Sequence, residues 1–122
     1  MRLYFFIALL ANLLLVSCKQ ETSSGTDKLQ IVATTGMIGD AVAIIAGDKA
    51  DVTVLMGPGV DPHLYKATQG DLNALRSGDI IFYNGLGLEH GPSLWHHLQS
   101  NSKAVALGDR IVQDEPDVVL KV

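Results

Sequence analysis

The chain has 122 residues, of which 48% are hydrophobic and 18% charged, and its formal net charge is -4. That length allows one core of about 90 to 100 residues and excludes two full lobes. The acidic balance leaves no basic excess to attract phosphate backbones or anionic lipid, which argues against nucleic acid as a partner.

Residues 1 to 17 read as a cleavable export signal. Arg2 gives a short positive start, and Leu3 to Val16 is almost uninterrupted apolar sequence that is short for a membrane span and ends in small residues. The only cysteine, Cys18, closes the run Leu15-Val16-Ser17-Cys18. That run is similar to a bacterial lipobox, which implies acylation of Cys18 and an anchor on the extracytoplasmic side of a membrane. The alternative is an unused thiol, and the position at the end of an apolar run favours lipidation. A lone cysteine excludes a disulfide within the chain. Residues 18 to 27 are polar with Gly and Ser and without apolar period, as expected of a flexible lipid-anchored tether.

From Lys28 onward, short apolar runs alternate with helical patterns. Residues 29 to 34 (LQIVAT) predict a strand, and Ile38, Ala41, Val42 and Ile45 then fall at i, i+3, i+4, i+7, one face of a helix stopped by Gly47. Residues 52 to 56 predict a second strand, followed by the Gly- and Pro-dense loop GPGVDPH. Thr68 with Asp71 three residues on is a capping signature for a helix carrying Leu72 and Leu75 and closed by Gly78. Residues 80 to 83 (IIFY) predict a third strand. Pro92 suits a first helical position, with Leu94, Trp95 and Leu98 on one side, and residues 103 to 107 predict a fourth strand. Beyond Gly108 the pattern fades: Asp114 to Asp117 reads as a loop, and DVVLKV as a fragment of strand or helix. The expectation is an α/β fold, a parallel four-stranded sheet with helices on both faces.

In such sheets ligands gather where the carboxyl ends of strands lead into helices. Three loops qualify: the one at Thr34, Thr35 and Gly36, the one from Gly57 to Tyr65, and the one from Asn84 to Gly91. The second carries the clearest chemistry. Pro58 and Pro62 fix their own backbone angles and restrict the residues before them, so His63 is held out on a stiff turn. A neutral imidazole there is a good metal ligand, because little ordering entropy remains to be lost. Asp61 is a candidate to accept the other ring proton and fix the tautomer. On spacing alone, a single loop histidine is more often an ordinary surface residue.

The stretch GPGVDPHLYKATQGDLNALRSGDIIFYNGLGLE, from Gly57 to Glu89, resembles the metal-receptor family of ABC-transporter substrate-binding proteins that deliver zinc or manganese. The match rests on Asp61-Pro62-His63, Tyr65, the spacing of Leu75 and Asp79, and the turn Asn84-Gly85-Leu86 with Glu89. Thr34, Thr35 and the segment Gly36 to Val42 look like that family's first strand and helix, so the resemblance covers nearly all of residues 28 to 108. It implies that residues 28 to 122 form an incomplete amino-terminal lobe of a two-lobed receptor. It also implies a divalent zinc or manganese ion as transported ligand, a membrane permease as partner, a monomeric state and no enzymatic activity. The family's site takes four side chains, two from each lobe, and only the first histidine carries over, onto His63. No second Asp-Pro-His triplet follows it here, so the chain alone is expected to bind metal weakly or not at all.

The remaining histidines divide by position. His96 and His97 fall on the third predicted helix away from its apolar stripe and should face solvent; neighbours one apart make a poor chelate. His90 sits after the third strand, at the same sheet edge as His63, and is a candidate auxiliary ligand. The His-rich acidic loop of some zinc-specific members of the family is not apparent, which leans toward manganese or mixed specificity. Gly36-x-x-Gly39 lacks the rest of a dinucleotide fingerprint, Gly59 lacks the Lys and Ser or Thr of a phosphate loop, and no nucleophile elbow occurs. The competing reading is a surface lipoprotein acting as an adhesin, whose binding would survive loss of His63.

Overall fold

A computed structural model describes residues 28–117. The predicted export signal, Cys18, the tether and Val118 to Val122 lie outside the described residues.

The elements run in chain order as β1 (Leu29–Thr35), α1 (Gly36–Ala46), a 3-10 turn (Gly47–Lys49), β2 (Ala50–Met56), α2 (Gln69–Ser77), β3 (Ile80–Tyr83), α3 (Pro92–Ser100), β4 (Ala104–Ala106) and α4 (Leu107–Asp114). The four strands form one sheet in the order β2-β1-β3-β4. All three pairings are parallel, with Val32 opposite both Thr53 and Ile81, and Tyr83 opposite Ala106. Central position explains the composition of β1: flanked by strands and covered on both faces, it buries every residue from Ile31 to Thr35.

Alternation along the strands sends Val32, Ile81 and Tyr83 to one face. There they pack with Leu75 of α2 and with Leu94 and Leu98 of α3, the main core. On the opposite face α1 lies across β1 and β2, and the approach is close at Gly39. A Cβ there would stand 2.4 Å from Val54 Cγ2 and 3.7 Å from Ala33 Cβ, so no side chain fits at that position.

Local signals account for the helix ends. The capping box forms in full at α2, where Asp71 N–H donates to Thr68 Oγ1 and Asp71 Oδ2 accepts from the Thr68 amide. Pro92 opens α3 at a first-turn position. Gly47 ends α1 with φ 57.

Several expectations are corrected. The face of α1 is narrower than its periodicity suggests: Ile38 is buried and Val42 half-buried, but Ala41 is exposed and Ile45 is 85% exposed. The helix packs chiefly on β1 and β2, and its apolar stripe borders an open cavity shared with Phe82 and Leu107 instead of a closed interface. Trp95, grouped with Leu94 and Leu98, is 39% exposed. The fourth strand is the three residues Ala104–Ala106, and Leu107 begins a helix not foreseen; Asp114 ends that helix instead of starting a loop. Among the described residues no helix is long and apolar enough to cross a membrane.

Candidate metal centre

Parallel strands place three loops at one edge of the sheet, and the third is organised by a buried acid. Glu89 is 0% exposed, as is Thr34 at the end of β1. The carboxylate accepts three hydrogen bonds: Thr34 Oγ1 donates to Oε1 at 2.7 Å, Asn84 N–H to Oε1 at 2.7 Å and Gly85 N–H to Oε2 at 3.1 Å. Three donors satisfy a charge that burial would otherwise make costly. The run Gly85, Leu86, Gly87 is left-handed throughout, with φ of 75, 52 and 78. That conformation is easy for glycine and strained for leucine. It is held from the other side by α4, where Asp109 Oδ1 accepts from Leu86 N–H at 3.1 Å and Gly108 N–H donates to Asn84 O at 2.8 Å.

The loop between β2 and α2 is pinned at two points. At its far end the Tyr65 hydroxyl donates to Asp71 Oδ2 at 2.6 Å, with Leu55 O 3.2 Å away. Burial first, then the bond to Asp71 and its charge, push the Tyr65 hydroxyl up from 10.0 to about 12. Burial pushes the Asp71 carboxyl upward, but the hydrogen bonds from Tyr65 and from the Thr68 hydroxyl and amide outweigh it and hold Asp71 below its ordinary value. At the tip, Asp61 Oδ1 accepts from the His63 backbone N–H at 2.9 Å, and Leu64 N–H donates to Asp61 O at 3.2 Å. Asp61 therefore shapes the turn through the main chain. Among the described residues no hydrogen bond joins it to the His63 ring.

His63 and His90 are both exposed at this edge. They are brought together, with ring centroids 5.6 Å apart and planes inclined by 25°. The two loops can meet because residue 91 is glycine: a Cβ there would lie 2.4 Å from Tyr65 O. His96 and His97 stay exposed on α3, edge to face at 6.0 Å, away from this edge as expected. Beside the Pro-rich turn a cavity of about 460 Å³ is bordered by Thr35, Met37, Asp40, Met56, Val60 and Leu88. Its lining is mostly apolar, with Asp40 its only carboxylate, so it offers no donor set for a cation. No group of three or more His, Cys, Asp or Glu gathers to hold a metal ion among the described residues.

Sequence reasoning singled out His63, Asp61 and His90 but gave Glu89 no role. The signal was an acid in a Gly-rich loop after one strand, with a threonine ending the neighbouring strand; only the fold shows that the two are adjacent.

The described residues thus form a three-loop edge of a parallel sheet with two exposed imidazoles beside it. The chain matches the model of the periplasmic zinc-uptake complex component A over residues 31–119, and it belongs to that family. It is 49% identical over 83 residues to the manganese-binding lipoprotein MntA of Bacillus subtilis, covering 66% of this chain and 27% of that protein. It is 38% identical to the manganese ABC transporter substrate-binding lipoprotein PsaA of Streptococcus pneumoniae, covering 93% of this chain and 38% of that one. The solved periplasmic zinc-binding protein TroA of Treponema pallidum superimposes with a TM-score of 0.64 at 44% identity, over 72% of this chain and 32% of that one. The chain thus spans about a quarter to two-fifths of the length of these relatives. These three relatives are named for binding or transporting manganese or zinc.

Proposed function

We propose that the chain is the amino-terminal lobe of an exported receptor that captures a divalent transition metal, zinc or manganese, as cargo for a membrane permease. His63 is its metal ligand, Cys18 its lipid anchor, and it acts as a monomer on the extracytoplasmic side without catalysing a reaction. The observation that carries this reading is the exposed His63 imidazole at the carboxyl edge of the sheet, on a turn fixed by Asp61 and two prolines. An immobile backbone with a free ring loses little entropy on binding. Glu89 does not compete for the ion, since it is buried and accepts three internal donors.

One imidazole, or even two, leaves a four-ligand sphere open, so the chain alone is a weak site. Calorimetric titration of zinc and manganese into the wild-type chain and His63→Ala tests both statements. Weak binding that falls further in His63→Ala is expected. Metal binding indifferent to His63 would remove the receptor reading, and tight stoichiometric binding would show that the site is complete as it stands.

A further inference from the structure

We propose that His63 and His90 together form a two-imidazole site for a zinc-type divalent ion, with the loop after β3 supplying a ligand beside the one on the Pro-rich turn. The proposal rests on the reading of His63 as a ligand and adds His90 to it. Two imidazoles on one tetrahedral ion, each bonded at about 2.0–2.1 Å, bring their ring centroids to roughly 5 Å of one another. The observed separation is 5.6 Å. Closing on an ion takes a small approach and a side-chain rotation that turns the stacked rings to aim a nitrogen at one point. Both side chains are exposed and free to make that rotation.

The backbones beneath them are not free to move, which makes the pair a prepared one. His63 N–H is bonded to Asp61. His90 lies between Glu89, which is fixed by three hydrogen bonds, and Gly91, which is seated against the Tyr65 carbonyl. Gly87 runs under the His90 ring: a Cβ there would come 3.1 Å from Cε1, so the ring rests where a side chain at position 87 would crowd it. The ligand type sets the preference. Imidazole nitrogen suits zinc, nickel and copper, and manganese stands lowest in the affinity order for such donors. A second imidazole therefore shifts this edge toward zinc over manganese, against the lean drawn from sequence.

The test follows ring resonances by NMR while zinc chloride is added to the full chain in detergent, as wild type, His63→Ala and His90→Ala. Manganese is titrated in parallel and read by paramagnetic broadening. The His63 and His90 ring signals are expected to shift and saturate together while those of His96 and His97 hold still. Even an outer-shell partner of a metal ligand is worth about 10–100-fold in affinity, so His90→Ala should weaken zinc by about tenfold or more. It should change manganese by less than about threefold, with backbone signals elsewhere unchanged because His90 is exposed. A saturating His63 shift with His90 unmoved, or zinc affinity unchanged in His90→Ala, overturns the pair and leaves His63 as ligand. Zinc shifts indifferent to both substitutions, or no shift at either ring, overturn the pair and the His63 reading together.

Discussion

Thr34 and Glu89 meet at 2.7 Å with neither side chain open to solvent, and that one contact joins the end of the central strand to the loop that carries His90. The carboxylate also takes the amides of Asn84 and Gly85, so it stands in for the sheet hydrogen bonds that those residues have left. Removing it orphans two buried donors and one half-buried donor at once. Glu89→Ala is expected to cost about 3 kcal/mol, because each unsatisfied buried donor carries its own desolvation penalty. Glu89→Gln keeps one acceptor oxygen but turns an amide NH2 toward an N–H, and should cost about 1–2 kcal/mol. Urea unfolding measures both; a loss under about 0.5 kcal/mol in Glu89→Ala would show that the loop finds other partners.

Tyr65 and Asp71 give the second loop a signature in pH. The hydroxyl is raised from 10.0 to about 12, so its contribution is whole below pH 10 and is lost as pH climbs through that interval. Asp71 is lowered, so its contribution is whole above the ordinary carboxyl value of 3.8 and is lost as pH falls through its depressed folded value. Tyr65→Phe removes one donor from Asp71, which should cost about 1 kcal/mol at neutral pH. It should also raise the Asp71 pKa and flatten the alkaline fall in stability. Melting temperatures across the pH range, with tyrosinate absorbance followed on the wild type, test this. An alkaline fall as steep in Tyr65→Phe as in wild type would put its origin elsewhere.

Close packing of α1 supplies a third expectation. A Cβ on Gly39 would intrude on Val54 Cγ2 at 2.4 Å, and overpacking of this kind costs about 1–3 kcal/mol. Gly39→Ala should therefore destabilise despite the better helix propensity of alanine. Val54→Ala in the same chain removes the obstructing methyl and should recover most of the loss. A double-mutant cycle reads the coupling, and additive effects would place the clash elsewhere.

Much of this architecture was legible because it depends on local signals. The apolar run of β1, the Thr68–Asp71 box and Pro92 before Leu94 each specify their element without help from distant residues. The predicted strands fell in place, and so did the exposed stations of His96 and His97. What escaped was whatever depends on neighbours in space. α4 has apolar residues only at Leu107, Ile111 and Val112 over eight residues, too few turns to establish a period. Asp61 carries the chemistry of a ring partner, and only the fold of its own turn shows it bound to the His63 amide. The meeting of His63 with His90 depends on a glycine at position 91 passing the Tyr65 carbonyl, a contact between loops that no periodicity reports.

The outer flank of α1 gives the last expectation. Periodicity counts Ile45 with Ile38 as core, yet Ile38 is 9% exposed and Ile45 85%. Met37, Ile38, Val42 and Ile45 border a shallow apolar cavity of about 330 Å³ shared with Phe82 and Leu107. Substituting a residue with so little buried area changes folding energy little, whereas apolar flanks of this kind promote association. Ile45→Lys should thus leave the urea midpoint within the shift expected for about 0.5 kcal/mol and raise the concentration at which the chain begins to self-associate in light scattering. Ile38→Ala, about two turns earlier on the same stripe but buried against the sheet, should cost about 2–4 kcal/mol. If Ile45→Lys proved as destabilising as Ile38→Ala, the flank would be covered in solution, and the periodicity would have been the better guide to this helix.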